Sequence, residues 1–201
     1  MPGLFDDGEL IADYEYVERA DHRVIDRVEL HVPVERAVPV FLREFRGHRI
    51  AAGPELGRAL EAAGGLPSRH AHRYEHPGSD EPPDPPPGVR LTPVDGSDLL
   101  PVYRASGAEW DEPAIPDALD AEASALAVAG DRVVGAILVG EDRLIYEVFR
   151  DPAYPGTGAA LIRHALNTGP LQLVVTDGNR AERLYRRLGF EHVYEAYSVD
   201  L

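Results

Sequence analysis

Six of the twelve residues from Pro77 to Gly88 are proline. A proline has no backbone N–H to give to a helix or a sheet ladder, and its ring fixes φ. No regular element can cross this stretch, which reads as a semi-rigid linker between two modules. It divides the 201-residue chain into residues 1–76, the linker 77–88, and residues 89–201. That length accommodates one domain with a real core plus a substantial extra module.

Beyond the linker the pattern is regular. Val89–Val94 reads as a strand, and Asp95 or Ser97 caps a helix that runs to about Ala105. An acidic, proline-containing segment follows from Trp110 to Asp120. Ala123–Ala129 and Arg132–Val139 are apolar, strand-like runs, and Gly130-Asp131 between them is a two-residue hairpin signal. Leu144–Phe149 is a further strand. Gly156-Thr157-Gly158 opens a helix whose apolar positions are Leu161, Ile162, Ala165 and Leu166. Leu171–Thr176 is a buried-type strand, and His192–Leu201 is extended. Before the linker, Gly53-Pro54 starts a helix with Leu56, Ala59, Leu60 and Ala63 on one face, and Gly64-Gly65 ends it. Ser68–Tyr74 alternates like a strand, whereas Arg23–Val32 and Val38–Phe45 read as extended or mixed.

The most specific stretch is Asn179-Arg-Ala-Glu-Arg-Leu-Tyr-Arg-Arg-Leu-Gly-Phe190. Ala181, Leu184, Tyr185 and Leu188 form one apolar stripe at i, i+3, i+4 and i+7. Asn179 suits an N-cap with Glu182 completing a capping box, and Gly189 suits the left-handed position after the last turn. Together with Gly156-x-Gly158 between a strand and a helix, this stretch resembles the signature of the GCN5-related N-acetyltransferase (GNAT) superfamily. The resemblance covers residues 89–201. It implies an α/β (α+β) fold, a mixed and mostly antiparallel sheet flanked by helices, with residues 1–76 as an N-terminal α/β extension. A helix followed by a strand in that extension suggests a degenerate GNAT-like half.

The resemblance implies acyl transfer from a coenzyme A thioester, acetyl-CoA first, to a primary amine of a small molecule or peptide. Three physical elements are then required. A pyrophosphate cradle falls on Gly156, Thr157, Gly158, Ala159 and Ala160, where backbone N–H groups converge at a helix N-terminus. Ala153 stands where the family carries Gln or Arg, so one side-chain phosphate contact is absent. Tyr185 matches the position of the general acid for the leaving thiolate, and its plain alternative is packing on the apolar stripe. Asn179 matches an asparagine beside the pantetheine arm. Glu147, on the strand leading into the cradle, is the candidate general base, with Glu141 and Tyr146 in reserve. Backbone groups of Val148 and Phe149 would pair with the pantetheine amides and polarise the thioester carbonyl. The segment Glu109-Trp-Asp-Glu112 through Asp120 would hold the acceptor amine by charge and cation–π contact.

The formal net charge of −15 argues against a nucleic-acid-binding surface and suits a cationic acceptor. There is no cysteine, which removes disulfides, thiolate metal sites and a cysteine nucleophile. His70, His72 and His76 suggest a metal only weakly, and no metal is expected. No signal peptide or apolar run long enough to span a bilayer is visible, so a cytoplasmic protein without a membrane partner is expected. A homodimer fits this reading. The competing function is a non-catalytic acyl-CoA-binding or regulatory protein of the same fold, and a hydroxyl acceptor is the third option.

Overall fold

The computed structural model describes residues 2–18, 23–108 and 112–201. In chain order the elements are β1 (Gly3–Asp6), β2 (Glu9–Glu18), β3 (Arg23–Leu30), α1 (Val34–Glu44), β4 (Arg49–Ala52), α2 (Pro54–Ala62) and β5 (Leu66–His76). They continue as β6 (Val89–Pro93), α3 (Leu100–Ala105), β7 (Ala125–Ala129), β8 (Arg132–Val139), β9 (Leu144–Arg150), α4 (Thr157–Leu166), β10 (Leu171–Thr176), α5 (Glu182–Arg187) and β11 (Glu191–Asp200). The fold is α/β with mostly antiparallel strand pairing. Two compact units share the chain. One comprises Met1–Arg73, Val175–Asn179 and Val193–Leu201; the other comprises Tyr74–Val174 and Arg180–His192.

In the first unit, β1, β2 and β3 form an antiparallel meander. Asp7 and Gly8, with φ of 48° and 82°, make the β1–β2 turn, the positive-φ pair that a tight hairpin needs. α1 then crosses over to β4, which runs parallel to β3, and β11 pairs with β4 from the other chain end, Val199 opposite Ile50. Ile11, Ile25, Phe41, Ile50, Leu60 and Val199 are the fully buried centre. A Cβ at Gly57 would lie 2.2 Å from Tyr197 Cβ, so only glycine lets α2 lie this close to β11.

The structure corrects the extended reading of Val38–Phe45, which is the body of α1. Pro39 hid it. A proline inside a helix costs about 3 kcal/mol, but Val40 and Phe41 beside it are essentially fully buried. Their burial stabilises by about 1.5–3 kcal/mol each and outweighs that cost.

In the second unit, β6, β7, β8 and β9 form a second meander, with the β7–β8 hairpin turning at Gly130-Asp131 as its sequence requires. α4 crosses over to β10, parallel to β9. Gly135 and Arg150 are cross-strand partners and lie under α4, where a Cβ on Gly135 would meet Thr157 and Leu161. The next pair, Ala136 and Phe149, lies on the opposite face and packs under Tyr103 of α3, whose ring meets Phe149 edge-on at 5.1 Å. Strand alternation therefore places α3 and α4 on opposite faces of β8–β9. The sequence from β7 to β11 (meander, helix, parallel strand, helix, strand) repeats the order from β1 to β5.

Two expectations change in this unit. The proline-rich segment, read as a semi-rigid linker, is a strap that packs along α4. Ser79 N–H donates to the Leu166 carbonyl at the end of α4 (3.0 Å), and Glu81 pairs with Arg163 (3.2 Å). Proline leaves the strap short of donors, and the helix end supplies unpaired carbonyls for those it retains. The second change is the start of the last helix. α5 begins at Glu182, preceded by Ala181, without a side-chain cap, so Asn179 is not its N-cap. Glu182 instead accepts from Tyr74 Oη (2.5 Å) and Arg186 Nε (2.9 Å). The three histidines have local partners: His70 Nε2 meets Glu61 (2.6 Å), His72 lies 3.6 Å from Asp177, and His76 Nδ1 accepts from Gly78 N–H (3.0 Å). Among the described residues, no helix is long and apolar enough to cross a membrane.

Candidate functional site

β9 carries the site. Its parallel pairing with β10 covers Leu144–Gln172 and Ile145–Leu173 and stops there, so the following residues of β9 have a side without a strand partner among the described residues. Asp151 N–H donates to Val134 O of β8 (2.8 Å). Backbone groups alternate sides along a strand, which turns Phe149 toward β8 as well and leaves Val148 N–H on the unpaired side. The two expected backbone groups therefore separate: Val148 presents an available amide, while Phe149 contributes a core side chain.

At the end of β9 the chain makes a tight loop. The Asp151 carboxylate, nearly buried, accepts from Ala153 N–H (2.9 Å) and from Arg132 (2.5 Å). Tyr154 N–H donates to the Asp151 carbonyl (3.0 Å). Gly156, at φ 92°, then turns the chain into α4, a conformation that strains any side-chain-bearing residue. The first turn of a helix lacks intrahelical acceptors for its N–H groups. That of Thr157 lies 3.4 Å from the Tyr154 carbonyl, and those of Gly158 and Ala159 are aimed out of the helix end. Ala160 differs: its N–H already donates to Gly156 O (3.1 Å) and the residue is fully buried, so it supports the helix rather than an anion. Thr157 Oγ1 is buried without a hydrogen-bond partner among the described residues.

A Cβ at Gly158 would sit 3.9 Å from Leu184 and 4.0 Å from Arg150 Cδ. Arg150 therefore lies beside the cradle, its Nη1 donating to the Asp151 carbonyl (3.1 Å). Sequence reasoning passed over it. It offers a cation near the place where Ala153 lacks one, and its position just before a Gly-x-Gly loop was the available signal.

Glu147 is half-buried on the face of β9 that α3 covers. Its Oε1 accepts from Ala114 N–H (3.2 Å). Burial pushes its pKa above the ordinary carboxylate value, and the Ala114 N–H and the nearby Tyr103 phenol offset part of that rise. Tyr185 is almost fully buried on α5, edge-on to Phe190 at 5.8 Å. Burial, and after it the charge of Glu147, push the phenol above its ordinary pKa. The second unit thus brings Glu147, Val148, the Gly156–Ala159 turn and Tyr185 together. Asn179 is exposed and belongs to the first unit, where its N–H donates to Thr176 O (3.1 Å). Tyr103 is the other residue that the sequence did not single out.

The Ala114 contact belongs to the acidic segment expected to meet the acceptor. Leu119 bridges to Gly140, and Asp120 N–H donates to Val139 O (2.8 Å). The Asp120 carboxylate accepts from Glu122 and Ala123 N–H groups and pairs with Arg143. Trp110 and its neighbours Glu109 and Asp111 lie outside the described residues. Of the reserve bases, Tyr146 bonds Asp142 (3.4 Å) on the exposed side, and Glu141 is exposed beyond the end of β8.

No family model matches the sequence, and no curated protein matches it. Solved structures do match. A GCN5-related N-acetyltransferase from Sphaerobacter thermophilus superposes with a TM-score of 0.63 at 19% identity, over 96% of this chain and 77% of that one. A second, from Kribbella flavida, gives 0.54 at 19% identity over 89% and 80%. The chain has the GNAT fold. At these identities the likeness is one of fold, and the first match extends over nearly the whole chain. Within the GNAT frame, the strand that parts from its neighbour and the glycine-led helix after it are both carried by the second unit.

Proposed function

We propose that the chain is an acyl-CoA-dependent N-acyltransferase, acetyl-CoA being the first donor to test and a primary amine the acceptor. The observation that carries this reading is the parting of β9 from β10 after Ile145, which leaves Val148 N–H unpaired directly upstream of the Gly156 turn. An extended amide-bearing arm can take the place of the missing strand, with its phosphates at the start of α4. Gly158 and Ala159 N–H, Thr157 Oγ1 and Arg150 would hold those phosphates. Residues 89–201 supply the catalytic machinery in this reading. Residues 1–76 are a GNAT-like half without it, since α1 follows His31-Val-Pro33 rather than a glycine turn.

Glu147 would take the proton from the acceptor ammonium. The amine nitrogen then attacks the thioester carbonyl, whose developing oxyanion is stabilised by Val148 N–H. The N–C bond forms, the nitrogen sheds its second surplus proton to water, the C–S bond breaks, and Tyr185 gives its proton to the thiolate. The raised phenol pKa makes that donation uphill towards a thiolate near ~8.5. Protonation of Glu147 by the amine removes the smaller, electrostatic cause of that rise, and the larger one, burial, stays. Passing the proton on from Glu147 to Tyr185 restores both groups.

Replacing Tyr185 with Phe tests this. Turnover, read as thiol release, should fall about 10²-fold or more, with acetyl-CoA binding unchanged. Unchanged turnover would remove Tyr185 from the mechanism. The competing reading, an acyl-CoA-binding protein without turnover, is favoured by the depth at which Tyr185 is buried. It predicts binding with no thiol release from either form.

A further inference from the structure

A cavity of about 490 Å³ opens between the β6–α3 connection and the 112–119 segment, within the second unit. Its walls are mainly apolar: Val94, Leu99, Leu100, Ile115, Leu119 and Leu138. This volume falls in the range of pockets that enclose a small organic ligand. Its position follows from the sheet register. Leu138, in its wall, is the direct cross-strand partner of Glu147, and cross-strand partners project on the same face. The Ala114 N–H that Glu147 binds comes from the segment forming another wall. Two walls of the cavity are thus built from the strand partner of Glu147 and from the segment that Glu147 binds.

Three carboxylates stand among the lining residues. Asp95 accepts from Ser97 N–H (2.8 Å) and its hydroxyl, and Asp98 accepts from Leu100 N–H (3.0 Å), so both set the turn into α3; Glu112 is exposed to solvent at the rim. Exposed Ile115 lies on the wall instead.

From this arrangement we infer that the acceptor is a monoamine with an apolar body, an arylalkyl or branched alkylamine. The body occupies the cavity and the single amino group meets Glu147. A polyamine would carry further charges past the rim onto walls built mainly from Val94, Leu99, Leu100, Ile115, Leu119 and Leu138, where each loses hydration. The inference rests on the acyl-transfer reading.

The test measures acetyl-CoA binding by calorimetry, and separately thiol release with 2-phenylethylamine, spermidine and a short peptide bearing a free α-amine. The expected result is a kcat/KM for 2-phenylethylamine at least tenfold above the other two. Ile115→Asp, at an exposed position, should lower it at least tenfold while leaving acetyl-CoA affinity unchanged. Preference for spermidine or the peptide would overturn the apolar-acceptor inference and leave acyl transfer standing. So would an Ile115→Asp protein with the wild-type value. Acetyl-CoA binding without turnover of any amine would overturn this inference and favour the binding-protein reading over acyl transfer. Absence of acetyl-CoA binding would overturn the underlying reading and this inference with it.

Discussion

Glu147 Oε1 accepts the backbone N–H of Ala114 at 3.2 Å. The candidate base on β9 is therefore tied to the segment that closes over the acceptor cavity, and the Tyr103 phenol of α3 stands near the same carboxylate. A base held by a backbone donor is oriented before the amine arrives. Its own burial raises its pKa toward the range in which proton exchange with an amine is useful.

A pH experiment follows from that geometry. A base must be ionised to act, so kcat/KM should fall as pH drops through a pKa above the ordinary carboxylate value. Glu147→Gln should lose about 10²-fold or more in rate and lose that acidic limb. The stability sign is opposite. A carboxyl whose pKa is raised in the folded state opposes folding once pH climbs above its unfolded value. Glu147→Gln should melt at or above the wild-type temperature at neutral pH, and the difference should shrink towards pH 4. A clear loss of stability at neutral pH would contradict the burial argument.

Cradle variants separate backbone from side-chain contributions. Gly158→Val should fold, because its nearest non-local neighbours would lie at ordinary van der Waals distance. Its side chain would block the close approach that the turn permits. Acetyl-CoA affinity should drop at least tenfold, about 1.4 kcal/mol. Arg150→Ala should weaken binding by a similar factor through loss of a cation. Calorimetry on both, with melting curves to confirm folding, checks the assignment.

A third prediction concerns α5. Tyr74 is fully buried and donates to Glu182, while Arg186 bonds both and stacks over the Tyr74 ring at 5.5 Å. This cluster ties the helix that carries Tyr185 to β5. Tyr74→Phe should cost about 1–2 kcal/mol, the scale of a hydrogen bond to a charged group. It should lower kcat while leaving the KM for acetyl-CoA in place. A loss shared equally by both parameters would point to general disordering.

The second unit was legible because its signals were local. Gly130-Asp131 turns a hairpin, Gly156 turns into a helix, and Leu161, Ile162, Ala165 and Leu166 are all buried on α4. The first unit was less legible where two signals conflicted or went unread. Pro39 masked α1, and Asp7-Gly8 marks a hairpin between strands that the sequence reading did not assign. At the site, Glu147 and Tyr185 were found by position, but their environments come from residues far apart in sequence. Tyr103 reaches Glu147 only because α3 packs across Phe149, and Arg150 reaches the cradle only because β9 ends under α4. The packing of the strap is hidden from the sequence for the same reason, since Leu166 and Arg163 lie more than eighty residues further along the chain.

The most direct measurement is a calorimetric titration of the protein with acetyl-CoA and then with free CoA. The account predicts one site per chain with micromolar affinity for both, because the donors at the Gly156 turn and β9 recognise the part the two ligands share. Absence of binding to either up to millimolar concentration would contradict it, and would leave Gly156–Ala160 as a structural turn on a scaffold.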